Sequence, residues 1–371
     1  MELRIERIES WLVDIPTIRP HKLSMLTMGC QTLTIVRLTC ADGTIGWGEA
    51  TTIGGLSYGP ESPEGIKSAI DSYLAPLLSG KSFNGLMTFV NLMNTHVKGN
   101  TFAKSALETA FLDAQGKRLD LPVSSLLGGA QTQTLPVLWT LASGDTAKDI
   151  EEGQRLLAEG RHNTFKLKIG ARSLVEDLHH TAAIKQALGP EVSIRVDVNQ
   201  AWDVCTAVRG MAALQEIGID LVEQPVALWD RATLIQLSQR FILPILADEA
   251  VADAHDGYTL AANGFTGAYA LKIAKAGGPM QVLKLAHVAN AAGVALYGGT
   301  MLEGTLGTLA SLHAWSTLKL EWGTEMFGPL LLKDDIVATP LVFSNGQVTL
   351  PDGPGLGVII DEDKLCHYQR K

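Results

Sequence analysis

Residues 193–199 read Ser-Ile-Arg-Val-Asp-Val-Asn, residues 221–225 Leu-Val-Glu-Gln-Pro and residues 245–249 Ile-Leu-Ala-Asp-Glu. Each is an apolar run of the length of a buried strand that ends on acid, and Asp197, Glu223 and Asp248 follow one another at intervals of 26 and 25 residues. That interval holds one strand and one helical crossover, the repeat unit of a parallel α/β sheet. Followed outward, the same alternation gives candidate strands at 135–141, 164–169, 193–198, 221–223, 245–248, 268–273, 294–297 and 320–322. Amphipathic segments such as 147–159, 174–188, 204–217 and 279–292 fill the intervals. Eight such units in succession predict a closed barrel of the TIM type. A doubly wound open sheet would need a GxGxxG turn leading from its first strand into a helix; here Gly128-Gly129 precedes the strand instead.

Upstream of the repeat the period is different. Residues 4–14, 31–40 and 45–50 alternate as strands, with Ala41-Asp42-Gly43 as a turn, and 66–78, 83–97 and 102–119 read as helices. This is a small α+β unit that ends near Gly129. Beyond Pro329 the turn signals Asn345-Gly346 and Pro351-Asp352-Gly353 separate strand-like pieces too few to form a third core, so this segment is expected to return to the first unit. The expected division is therefore 1–130, 131–328 and 329–371.

With 371 residues, 46% of them hydrophobic and 19% charged, the chain can bury a large core, which excludes disorder. Its net charge of −9 argues against a nucleic-acid partner, which needs a basic face. No apolar run approaches the roughly 20 residues that span a bilayer, and the opening residues 1–10 alternate charge with apolar side chains, unlike a signal peptide. A soluble cytoplasmic protein is expected. Cys30, Cys40, Cys205 and Cys366 form no CxxC pair, so reduced, mostly buried thiols are expected in place of a zinc site or disulfide framework.

The active site of such a barrel lies at the carboxyl ends of its strands. Asp197, Glu223 and Asp248 should stand there at one height on three adjacent strands. Three carboxylates in one cavity repel and raise one another's pKa unless a cation lies among them, and an all-oxygen donor set selects a hard ion, Mg²⁺ or Mn²⁺. A single acid at a strand end would more simply cap a helix or pair with lysine; three in register favour the metal. In the second candidate strand, Lys166 and Lys168 share the face that points into the barrel, where each should depress the other's pKa while the acids oppose this. A lysine tuned in this way can exchange a proton. Lys272, after the sixth strand, faces them across the mouth, with an ion pair to Glu249 as its plainer role.

These motifs, Lys166-Leu167-Lys168, the acid and amide of 195–202, Val222-Glu223-Gln224-Pro225, Ala247-Asp248-Glu249 and the run 271–278, resemble those of the enolase superfamily, in its muconate lactonizing subgroup. The stretches 105–129 and 325–336 are similar to that subgroup as well, so the resemblance covers nearly the whole chain. It implies an enolase-like fold, a modified TIM barrel (β/α)₇β under an α+β capping domain, with the metal on Asp197, Glu223 and Asp248. By the same resemblance Lys168 is the general acid/base, Lys166 its partner and Lys272 a residue on the opposite face of the substrate. Glu325 is an acid near the substrate, Asn199 orients a ligand or Lys168, and His21, Ile53 and Tyr58 close over the substrate from the cap.

The activity implied is the conversion of cis,cis-muconate to muconolactone in catechol breakdown by the beta-ketoadipate route, through a metal-stabilised enolate, in a homo-octamer. Alternatives with the same machinery are N-acylamino acid racemization, dipeptide epimerization, o-succinylbenzoate synthesis and cycloisomerization of chlorinated muconates. Racemase-like dehydratases have a histidine after the seventh strand, where this chain has Gly298-Gly299-Thr300-Met301. A non-catalytic barrel is the reading from a different class; it is disfavoured because every expected ligand and lysine is present. The helix face around Leu309, Leu312 and Trp315 is expected either to pack on the barrel or to form a subunit interface.

Overall fold

The computed structural model describes residues 2–23 and 26–371. Strand β1 (Leu3–Lys22) pairs antiparallel with β2 (Thr27–Cys40), which pairs in turn with β3 (Ile45–Thr51). The turn between β2 and β3 closes where expected: Cys40 N–H donates to the Thr44 carbonyl at 2.8 Å and Thr44 N–H to the Asp42 carboxylate at 3.0 Å. Gly43 takes the positive φ of +84° that the turn requires.

Helices α1 (Pro63–Ala69), α2 (Leu86–His96) and α3 (Thr101–Leu119) complete this capping unit. Two glycines of β3 let α3 lie directly on the sheet. A Cβ on Gly46 would fall 2.0 Å from the Ala110 carbonyl oxygen, and one on Gly48 2.0 Å from that of Ala106.

The second unit is a curled sheet of seven parallel strands in chain order: β4 (Trp139–Leu141), β5 (Thr164–Lys168), β6 (Ser193–Asp197), β7 (Leu221–Glu223), β8 (Ile245–Ala247), β9 (Ala268–Leu271) and β10 (Ala295–Gly298). The crossover helices are α4 (Thr146–Ala158), α5 (Leu174–Leu188), α6 (Val204–Ile217), α7 (Arg231–Arg240), α8 (Ala254–Ala262), α9 (Pro279–Ala292) and α10 (Thr305–Trp315). Ser173 starts α5 with a reciprocal capping box to Glu176, a local signal that sets the helix boundary.

Two expected strands are displaced. The run 135–141 splits, because Pro136 cannot continue a ladder as a donor: Thr134–Pro136 pairs with Gln347–Thr349 of the C-terminal segment, and the barrel begins only at Trp139. The eighth strand, expected at 320–322, is reduced to bridges two residues later. Thr324 is bridged in parallel to Val137 on one side and Gly298 on the other, and this single residue joins the two edges of the sheet. Leu138 N–H donates to the Thr324 carbonyl at 2.9 Å, and Glu325 N–H to the Gly298 carbonyl at 2.8 Å.

The C-terminal segment reaches back to the cap. Gln369 bridges Val13, Leu332 bridges Thr17, and the Arg370 guanidinium engages both oxygens of Asp14, at 2.6 and 2.7 Å. Leu309, Leu312 and Trp315 are buried within the subunit, which settles their role as internal packing. The cysteine expectation is corrected: only Cys40 is buried, while Cys30, Cys205 and Cys366 are exposed and unpaired. Cys30 lies on a strand face turned to solvent, and Cys205 and Cys366 lie on exposed helix faces. Among the described residues no helix is long and apolar enough to cross a membrane.

Candidate active site

At the carboxyl end of the barrel, under the cap, lies a narrow cavity. All eleven site residues expected from the sequence line it: His21, Ile53 and Tyr58 from the cap, and Lys166, Lys168, Asp197, Asn199, Glu223, Asp248, Lys272 and Glu325 from the barrel. Strand register explains the convergence. Lys168 is paired with Asp197 and Asp197 with Glu223, so these three form one row across β5, β6 and β7. Glu223 is paired with Leu246, which sets Asp248 two residues beyond that row instead of level with it.

The lysines lie among the acids. Lys166 Nζ is 3.2 Å from Glu223 and 3.5 Å from Asp197, and it also contacts the Glu325 carboxylate. Lys168 donates to Asp197 Oδ2 at 2.5 Å and lies 3.4 Å from Asn199 Oδ1. Lys272 donates to Asp248 Oδ2 at 2.7 Å and to the Tyr58 hydroxyl at 2.8 Å, and it lies over the Tyr58 ring. Its partner is thus Asp248, not the expected Glu249, whose carboxylate turns to the Asn199 amide at 3.3 Å.

These contacts set the charges. Burial pushes Asp248 up, but the ammonium groups of Lys272 and Lys275 hold it well below the usual carboxylate range. Asp197 is likewise lowered against its burial by Lys168 and Lys166. Glu223 goes the other way, raised by burial and by the negative charge of Asp197. At Lys166 the opposing pull of the acids, expected from the sequence, prevails. Burial opposes the charge of Lys166 and Lys272, yet Glu223 and Glu325 raise the first and Asp248 raises the second, since each ammonium has carboxylates of its own. Burial, helped by Arg19 and Lys168, lowers His21 to about 3, so its ring is neutral.

The donor set suits a hard divalent cation in kind: three buried carboxylates on neighbouring strands, with the charge of Asp248 pushing upward on both Asp197 and Glu223. As arranged here the lysines neutralise them, and among the described residues no three acidic, histidine or cysteine side chains stand together as a metal cage.

The sequence reading missed several participants. Leu23, Thr300 and Leu302 also line the cavity. Leu302 takes a φ of +61°, strained for a leucine, and Gln31 from β2 holds it by donating to the carbonyls of Met301 and Leu302 at 3.1 and 2.9 Å. Buried Lys275 donates to Asp248 Oδ1 at 2.7 Å, to its carbonyl at 2.6 Å and to the Val251 carbonyl at 3.0 Å. Its three-residue spacing from Lys272 was the available signal.

Residues 7–128 match the family described as "Mandelate racemase / muconate lactonizing enzyme, N-terminal domain", and residues 148–364 match "Enolase C-terminal domain-like". Muconate cycloisomerase 1 of Pseudomonas putida is 55% identical over 370 residues, 99% of each chain. Chloromuconate cycloisomerase CbnB of Cupriavidus necator is 43% identical over 369 residues, covering 99% of this chain and 100% of that one. A muconate lactonizing enzyme from Klebsiella pneumoniae superposes with a TM-score of 0.94 at 65% identity, over 99% of this chain and 100% of that one. The enzyme from Pseudomonas fluorescens complexed with muconolactone superposes with a TM-score of 0.98 at 54% identity and the same coverage.

Proposed function

The chain belongs to the mandelate racemase and muconate lactonizing enzyme family, and from that premise we infer that it is a muconate cycloisomerase, converting cis,cis-muconate to muconolactone. The observation that carries the reading to the chemistry is the asymmetry of the two cavity walls. Lys168 keeps 11% of its side chain exposed, with Asp197 at 2.5 Å and Asn199 at the outer limit of 3.4 Å, whereas Lys272, 4% exposed, is tied closely to both Asp248 and Tyr58 and lies over the Tyr58 ring. One wall can move a proton; the other holds charge. Cycloisomerization needs proton transfer on one face only, whereas a racemase would use both.

In the reaction one carboxylate of muconate adds across its own conjugated double bond, and the other carboxylate takes up the displaced charge as an enediolate. Lys168 then protonates the carbon alpha to that group. Lys166, kept charged by its acids, and Lys272 stabilise the developing negative charge in a buried site where such interactions are strong. Glu325 holds Lys166, and Asn199 orients Lys168 from the Asp197 side. Ile53 and Tyr58 exclude water from above, and His21, neutral and with its buried Nδ1 unpaired among the described residues, offers a hydrogen bond to the substrate.

Family members are divalent-metal dependent, and here Asp197, Glu223 and Asp248 would hold Mg²⁺ or Mn²⁺, whose positive charge would lower the energy of the enediolate. The cap at 1–130, barrel at 131–328 and returning segment at 329–371 belong to this proposal, supported by the pairing of Gln369 with Val13. So does a homo-octamer, to be measured by light scattering. A cytoplasmic location also belongs to it, in keeping with four cysteines that form no disulfide. Chlorinated substrates are the second choice, because the chloromuconate enzymes are the less similar relatives.

The test is to mix metal-loaded protein with cis,cis-muconate, follow loss of the diene's ultraviolet absorbance, and repeat with chelator and with Lys168→Ala. Rapid loss abolished in both controls is expected. A folded, metal-loaded protein that leaves muconate untouched overturns the reading and redirects the search to acylamino acids.

A further inference from the structure

Beside the active-site cavity, and sharing Leu23 and Lys168 with its wall, is a second, narrow cavity open to solvent. Lys22 and Arg172 line its outer side, and both meet on one glycine. Lys22 follows His21 in β1, and its backbone N–H donates to the Ala142 carbonyl at 3.1 Å, which ties the cap to the loop after β4. Its side chain lies across Gly144: a Cβ there would fall 2.7 Å from Lys22 Cδ and 2.9 Å from Nζ. Gly144 has a φ of +74°, so it is suited to that place twice over. From the other side Arg172 Nη2 donates to the Gly144 carbonyl at 3.2 Å.

Two cations are thus brought together with no carboxylate within the 4.0 Å of an ion pair among the described residues. Two acids, Asp149 and Asp177, share the inner wall; burial raises Asp177 while the charge of Arg172 lowers it, and the cations outnumber the wall carboxylates by three to two once Lys168 is included. Asp149 accepts the Ser143 N–H at 3.0 Å and faces His180 at 3.6 Å, and Asp177 accepts the Gly170 N–H at 2.7 Å. With Lys168 behind them, Lys22 and Arg172 leave the cavity with a net positive lining despite those two acids. Like charges held close repel unless an anion lies between them. The protein is acidic overall, so a dianion needs such a local reversal of sign in order to approach.

We propose that this second cavity is a dicarboxylate antechamber: Lys22 and Arg172 capture a carboxylate of the incoming substrate at the rim and deliver the dianion past Leu23 to Lys168. The proposal rests on the muconate reading for the identity of the dianion. Neither cation touches the reacting atoms, so their contribution falls on capture. Steering by charge of this kind accelerates association by about 10-fold or more and fades as salt rises.

The experiment measures kcat and kcat/KM for cis,cis-muconate against ionic strength in the metal-loaded wild type, in Lys22→Gln/Arg172→Gln and in Arg172→Lys. The double variant is expected to lose about 10-fold in kcat/KM at low salt, with the loss absent from kcat and the salt dependence flattened; Arg172→Lys, which keeps the charge, should stay near wild type. An unchanged kcat/KM or an unchanged salt dependence overturns the proposal. So does a fall in kcat that Arg172→Lys shares, since that marks a structural role. A calorimetric titration with adipate, a saturated six-carbon dicarboxylate, separates this from the function itself. If wild type leaves muconate untouched, the function reading has failed, and adipate decides the antechamber alone. A loss of affinity of about 5-fold or more in the double variant supports it, and equal affinity overturns it.

Discussion

The Gln224 side-chain oxygen accepts the backbone N–H groups of Asp248 at 3.0 Å and Ala250 at 3.1 Å, so the end of one acid-bearing strand holds the end of the next. Gln224 is fully buried, takes a φ of +36°, and donates in turn to the Val226 carbonyl at 2.9 Å. Gln224→Leu strips partners from two buried donors and one acceptor, at about 1–3 kcal/mol for each group left unsatisfied. A loss of about 3 kcal/mol or more in urea unfolding is expected, together with weaker Mn²⁺ binding by calorimetry. Wild-type values for both would mean that the loop after β8 holds its own shape.

The contact of β3 with α3 leaves no room for a methyl group. Gly48→Ala places a Cβ 2.0 Å from the Ala106 carbonyl oxygen, so the helix must move. The expected cost is about 1–3 kcal/mol of stability, with KM rising because Ile53 and Tyr58 follow directly on β3. Gly29, with nothing within 4 Å of its Cβ direction, is the control; Gly29→Ala should change unfolding by less than about 0.5 kcal/mol. Equal stabilities for the two variants would refute the close-packing account.

Tyr58 joins the cap to the barrel's charge. Its hydroxyl donates to Asp248 Oδ2 at 2.7 Å while accepting from Lys272 at 2.8 Å. Hydrogen bonds to charged groups are worth about 1.5–3 kcal/mol, so Tyr58→Phe is expected to lower kcat/KM by about 10- to 100-fold. Steady-state kinetics with the metal saturating would check this, and a loss below about threefold would leave Tyr58 only an apolar covering role.

Stability should depend on pH through His313. Its Nδ1 accepts the Ser124 N–H at 3.2 Å and its Nε2 faces the Leu356 carbonyl at 3.3 Å, an arrangement that fixes the neutral ring. Burial lowers its pKa to about 4, with the Leu356 carbonyl opposing. Above the unfolded value near 6.5 both states are neutral. As pH falls from there toward 4, the unfolded chain takes up a proton that the folded one refuses, so stability is lost in that window. The loss attributable to His313 approaches about 3 kcal/mol at most. Urea unfolding of wild type and His313→Gln at pH 7 and pH 4.5 isolates it: the gap between them should narrow on acidification, and a constant gap would contradict the assignment.

The repeat that carries the acids was legible because buried parallel strands are short apolar runs and the crossover helices carry their own caps. The same periodicity placed Lys166 and Lys168 on one face. It could not say that Asp248 stands beyond the row of Lys168, Asp197 and Glu223, because register in a curled sheet is set by how the strands slide past one another. Nor could it foresee that Lys272 and Lys275 both converge on Asp248, a matter of where one short helical turn points its side chains. The eighth strand was misplaced for a related reason. Thr324 bridges two strands without belonging to a run of its own, so no pattern announces it. The cap residues His21, Ile53 and Tyr58 came only from resemblance, since nothing local distinguishes a loop that covers a cavity from one that does not.

Thr324 carries a further consequence, for how the chain reaches this shape as it is made. The first and seventh strands of the barrel are joined through a residue that follows both of them in the chain, and β1 of the cap receives Gln369 and Arg370 from far downstream. A nascent chain can build its hairpin and stack its crossover units in order, yet the barrel stays open along one edge until residue 324 has emerged, and the cap lacks this partner until residues 369 and 370 have followed. The apolar faces along that open seam are exposed until then. Deleting residues 360–371 would therefore damage β1, more than 300 residues away in sequence, and leave the order of the central strands intact.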